Sequence, residues 1–107
     1  MAAISITKEQ FEQRKSLETP VLVDFWAPWC GYCRRIEAAY DRVAEEYQQE
    51  LQVVKINVDE EPALTEAEQI ELIPTLVIYQ GGQAIGSVVA PDSKAAIDRF
   101  IRETLQR

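Results

Sequence analysis

The sequence predicts one α/β domain of three layers, α/β/α, with a mixed central sheet between helices. Three observations predict it. Val21-Leu22-Val23-Asp24-Phe25-Trp26 is almost continuously apolar, as a strand covered on both faces of a sheet has to be. A segment with helical periodicity then separates it from a second such strand, and strand, helix, strand in that order implies a parallel crossover. Further on, two β-rich segments flank Gly81-Gly82, the signature of a two-residue hairpin, so an antiparallel pair joins the parallel ones. A chain of 107 residues is expected to form a single domain over residues 1–107, since domains run to about 100–200 residues.

Each element has its own signal. Met1 to Ile6, with Ile4 and Ile6 alternating, reads as a short first strand. Thr7 followed by Gln10 is a capping-box signature that opens a helix toward Ser16, with Phe11 as its core anchor. After the strand at 21–26, the residues Ile36, Tyr40, Val43, Ala44 and Tyr47 fall on one face of a helix expected from about Cys33 to Gln49. Val53 to Val58 is the next strand. Asp59, Glu60 and Glu61 precede Pro62 and a short helix near Ala63 to Glu68. These acids suit a helix N-terminus and otherwise read as a solvated turn. Thr75 to Tyr79 and Ala84 to Val89 form the hairpin. Ser93 caps a last helix whose Ile97, Phe100, Ile101 and Leu105 make one stripe, while Arg99, Arg102 and Arg107 place positive charge toward its C-terminal end.

Composition narrows the function. Lys and Arg number 11 against 18 Asp and Glu, and a net charge of -7 repels phosphate backbones and anionic lipid, so neither nucleic acid nor a membrane is an expected partner. With no histidine, the usual general base and metal ligand are missing, and serine- and cysteine-protease triads are excluded. The first residues lack the basic and apolar regions of a signal peptide, and no later run reaches the length of a membrane span; a cytoplasmic protein is expected. Cys30 and Cys33 are too few for a disulfide-stapled scaffold. The short loop between them would stabilise by only about 2 kcal/mol, against about 4.7 for a 100-residue loop, so chemistry explains their placement better.

Trp29-Cys30-Gly31-Tyr32-Cys33 falls where the strand feeds the long helix. Cys30 is thereby expected at a helix N-terminus, where unpaired N–H groups and the macrodipole favour the thiolate, the nucleophile of disulfide exchange. Cys33, one turn inside, can close a disulfide with it. The pair can then exchange two electrons with a dithiol or disulfide through a mixed disulfide on Cys30 that Cys33 resolves. A zinc half-site would need two more ligands, which only a second copy of the chain could supply, and no metal is expected. Gly81, Gly82 and Gly86 sit in a hairpin and not between strand and helix, so they do not read as a phosphate loop.

With Val23-Asp24-Phe25-Trp26-Ala27 leading into Trp29-Cys30-Gly31 and Cys33, then Lys55, Ile73-Pro74-Thr75 and the Gly81-Gly82 hairpin, the chain resembles the thioredoxin family from end to end. The resemblance implies the thioredoxin fold and a thiol-disulfide oxidoreductase that reduces disulfides in protein substrates. It makes Cys30 and Cys33 the redox-active disulfide. It places Asp24 as the group that exchanges the resolving thiol's proton, with Lys55 assisting. On the residues alone, a carboxylate in a buried strand must stay protonated, find a partner or serve proton transfer, and a structural hydrogen-bonding role stays open. The resemblance also implies a cis Pro74, and a substrate platform of Trp29, Gly31, Tyr32, Ile73, Pro74 and Ala90. No bound cofactor is implied, and electrons would come from a flavin-dependent thioredoxin reductase or a comparable donor to a monomer.

Four positions depart from the family pattern. Tyr32 replaces a proline, giving the Gly-Tyr pair also seen in periplasmic disulfide isomerases of the same fold; its N–H is expected to reach the Cys30 sulfur and raise the reduction potential. Ala38 replaces the proline that kinks the second helix, so a straighter helix is expected. Ala90 and Leu72 replace glycines and add side chains around the site. A disulfide isomerase, a partner-specific redox adaptor and a non-catalytic binding module are the alternative functions.

Overall fold

The computed structural model describes residues 2–106. In chain order the elements are β1 (Ile4–Ser5), α1 (Lys8–Lys15), β2 (Val21–Trp26), α2 (Gly31–Arg35), α3 (Glu37–Glu46), β3 (Gln52–Asn57), α4 (Pro62–Ala67), β4 (Thr75–Gln80), β5 (Gln83–Val89) and α5 (Lys94–Leu105). The expectations for Met1 and Arg107 lie outside the described residues.

The strands form one sheet in the order β1-β3-β2-β4-β5. β1 and β2 run parallel to β3, whereas β4 runs antiparallel to both β2 and β5, so the sheet is mixed as expected. Strand alternation sends Val21, Val23 and Phe25 to one face, where they pack with Phe11 of α1 and Leu64 of α4. Leu22 faces the other way, into a cluster with Ile36, Tyr40, Val43, Ile97 and Ile101 from the helical layer of α3 and α5. Asp24 shares the Leu22 face and is one of two buried polar residues in the chain's described part.

Local signals act as the sequence suggests. Thr7 and Gln10 form both halves of the capping box on α1, and the Ser93 hydroxyl accepts the Ala96 N–H at the start of α5. Gly81 and Gly82 both have positive φ, +60° and +86°, the conformation a primed hairpin turn demands. Gly86 serves close packing instead: a Cβ there would meet Thr104 of α5 at 2.7 Å.

Three expectations need correction. The helix expected from Cys33 to Gln49 begins at Gly31 and breaks at Ile36, although Ala38 supplies no proline. Ile36 takes φ -92°, ψ 0° where α2 gives way to α3, and its side chain is buried at 3% exposure. The first strand, expected up to Ile6, comprises Ile4–Ser5 on the outer edge of the sheet; Ile4 is 51% exposed, while Ala3 and Ile6 on either side of the strand are buried. The strand at 21–26, expected to be covered on both faces, is less covered at its end: Trp26 is only half-buried, whereas Phe25 is fully enclosed. Among the described residues no helix is long and apolar enough to cross a membrane.

Candidate active site

The site forms where β2 ends and α2 begins. Cys30 is the N-cap of α2, with extended φ -83° and ψ 110°, and its sulfur accepts the N–H of Cys33 at 3.1 Å. An N-cap side chain normally supplies an oxygen for this bond. Here a sulfur does so, and any negative charge on it meets an N–H donor already in place. Cys30 and Cys33 are joined in a disulfide with their Cα atoms 5.3 Å apart. Cys30 is 8% exposed and Cys33 3%, so the N-terminal sulfur is the more accessible of two mostly enclosed ones. The donor to the Cys30 sulfur is thus the Cys33 N–H, in the N3 position of the cap. The expectation that the Tyr32 N–H fills this role is not met, and the potential shift argued from it loses its basis.

Around the disulfide, Ala27 is buried with the two cysteines, and Trp26, Tyr32, Val58 and Ile73 pack against them. The Ile73 carbonyl oxygen lies 3.9 Å from the Cys30 sulfur. The Ile73-Pro74 bond is cis. The Pro74 carbonyl accepts the Ala90 N–H at 2.8 Å, which brings the loop after β5 alongside. Ala90 has φ +49°, a conformation that favours glycine. Gly31 has open space where a Cβ would be, and Leu72 is 63% exposed beside Ile73.

Tyr32 turns out to act through its side chain. Its hydroxyl donates to the Ala90 carbonyl at 3.3 Å, and the Arg35 guanidinium stands 5.4 Å from its ring centre. On the other side, Trp29 is 68% exposed, and its indole N–H donates to Asp59 at 2.8 Å. Sequence reasoning took Asp59 for part of a solvated turn. The signal that finds it is register: Asn57 pairs with Trp26, so residues just past β3 emerge beside those just past β2.

Asp24 is 4% exposed, and its Oδ1 has no hydrogen-bond partner among the described residues. Burial raises its pKa from 3.8 to about 7; Lys55 pulls it down and Glu37, at the start of α3, pushes it up. Lys55 is its direct neighbour across β2 and β3, and Lys55 Nζ lies 4.7 Å from the Trp26 ring centre. The Trp26 indole N–H is likewise buried without a partner among the described residues. Asp24 and Trp26 stand two apart on one strand face, and the Trp26 ring packs against the cysteines. Among the described residues no group of three or more acidic or cysteine side chains could hold a metal ion.

Comparison with known proteins places this geometry. The thioredoxin family model matches residues 2–103. Thioredoxin 1 of Nostoc sp. is 40% identical over 105 residues, 97% of this chain and 98% of its own. The thioredoxin of Porphyra purpurea is 39% identical over 104 residues, covering 96% of this chain and 97% of its own. The crystal structure of a thioredoxin from Malassezia sympodialis superposes with a TM-score of 0.87 at 27% identity, over 96% of this chain and 91% of that one.

Proposed function

Because the chain belongs to the thioredoxin family, and is therefore a thiol-disulfide oxidoreductase with a redox-active cysteine pair, we propose the following division of labour for its reduction of protein disulfides. The observation that carries it is the capped cysteine: the Cys30 sulfur holds the N-cap position of α2 and accepts the Cys33 N–H.

In the reduced protein, the Cys30 thiolate attacks one sulfur of the substrate disulfide. The first substrate thiolate leaves and a mixed disulfide forms on Cys30. Cys33 gives its proton to the Asp24 carboxylate and its thiolate attacks the Cys30 sulfur, releasing the second substrate thiolate, which takes its proton from solvent, and closing the Cys30–Cys33 disulfide. Two electrons pass to the substrate. A buried carboxyl with its pKa near 7 can take and return a proton at neutral pH, and Lys55 beside it favours the charged form that accepts the proton. Trp29, Gly31, Tyr32, Ile73, Pro74 and Ala90 form the platform for the substrate chain, since all lie in or against the loops around the disulfide. A flavin-dependent thioredoxin reductase, or a comparable dithiol donor, returns the two electrons. The protein serves electron transfer and redox homeostasis as a cytoplasmic monomer, with residues 1–107 as one domain.

Reduction of insulin disulfides by dithiothreitol tests the reading. The protein is expected to accelerate it and Cys30→Ser to abolish the acceleration. An inactive wild type whose partner binding survives replacement of both cysteines would make the chain a binding module instead.

A further inference from the structure

Tyr32 does more than separate the two cysteines. Its hydroxyl holds the Ala90 carbonyl, while the Ala90 N–H is held by the Pro74 carbonyl. Both main-chain groups of Ala90 are therefore engaged, one by the active-site helix and the other by the loop that touches the Cys30 sulfur. Ala90 sits between them at φ +49°, a conformation an alanine does not adopt by preference, and the two bonds keep it there. Arg35, one turn along α2, stands 5.4 Å from the Tyr32 ring centre and braces it from the helix side.

We propose that Tyr32 is a specificity-determining residue that masks the Ala90 carbonyl, a main-chain acceptor at the edge of the cleft, from the backbone N–H groups of extended peptide substrates. The proposal rests on the protein-disulfide reductase reading above. A substrate strand lying across the disulfide meets an occupied acceptor on the Ala90 side, and must displace the phenol to pair there. The phenol bond is long at 3.3 Å, so it is replaceable. The consequence is selectivity: substrates are chosen by what they present to the Trp29 side, and pairing on the Ala90 side adds little.

The test uses the reduced full-length protein and a linear peptide whose single cysteine is disulfide-bonded to nitrothiobenzoate. A second set of peptides carries one N-methyl group each, at the residues flanking that cysteine. Cys30 attack releases the coloured thiolate, giving a second-order rate constant for each peptide. In the wild type, no position is expected to owe sensitivity to the Ala90 carbonyl, because that acceptor is already engaged; sensitivity there reports the Ile73 side alone. In Tyr32→Phe, which keeps the ring and its Arg35 contact but frees the carbonyl, at least one position should become sensitive by about three- to tenfold, the worth of one hydrogen bond. Equal sensitivity in both proteins at every position would overturn the masking role alone. A wild type that does not react with the unmodified peptide would overturn the reductase reading and this proposal together.

Discussion

The cleft has two walls, and they are made of different things. On the β2 and α2 wall, side chains in regular elements face the chemistry: Asp24 in the centre of the sheet, Cys30 on a helix cap, Cys33 one turn in. On the opposite wall, from Leu72 to Pro74 and at Ala90, main-chain groups of loops do the facing, with a cis bond at Pro74 and a left-handed residue at Ala90. Reactivity is thus set by buried geometry that tolerates little change, whereas selectivity is set by loop backbone, and by the Tyr32 hydroxyl that reaches it from α2, which can vary while the reaction stays the same.

If that contrast holds, damage to the first wall should stop the reaction and damage to the second should only retune it. The largest effect is expected for Cys33→Ser. Attack by Cys30 should persist while turnover falls by about three orders of magnitude or more, and a stable mixed disulfide with substrate should accumulate, visible by non-reducing electrophoresis.

Asp24→Asn comes next. Below about pH 4 the Asp24 carboxyl is protonated in the folded and unfolded chain alike; between there and about 7 only the unfolded chain loses the proton, so stability falls as pH rises and levels off above 7. The full span is about 4 kcal/mol. Urea denaturation of the oxidised protein at pH 5 and pH 8 should show the wild type weaker at pH 8 and the variant nearly unchanged between the two. Resolution of the mixed disulfide should slow on the order of a hundredfold. A wild type equally stable at both pH values would remove the raised pKa from the account.

Two changes on the loops are expected to do far less. Ala90→Gly should relieve the left-handed conformation and stabilise the fold by about 0.5–1 kcal/mol, raising Tm by about 3–6 °C in a thermal scan. Asp59→Ala frees the Trp29 indole, and the smallest shift is expected here: KM for a protein disulfide up by about twofold with kcat little changed.

The same contrast explains what the sequence made legible. The order of elements along the chain and the two helix caps follow from apolar periodicity and short-range hydrogen bonding, which one chain segment specifies by itself. Cys30, Cys33 and Asp24 stood out because each breaks a local expectation: two cysteines too close to staple anything, and a carboxyl in an apolar strand. Asp59 and the Tyr32 hydroxyl did not stand out, because their partners are 30 and 58 residues away and depend on where neighbouring strands end. The break at Ile36 was hidden for a similar reason. No local signal marks it, since Ile36 reads as one more apolar residue of the helical stripe and is buried in the same cluster as the rest.

The claim on which everything else depends is that the helix cap makes Cys30, and not Cys33, the reacting sulfur. A brief pulse of iodoacetamide on the fully reduced protein at neutral pH, followed by fragmentation of the tryptic peptide that ends at Arg34, locates the first alkylated thiol. Label on Cys30 with Cys33 largely protected is the predicted result. Label that accumulates first on Cys33 would contradict the assignment of both cysteines.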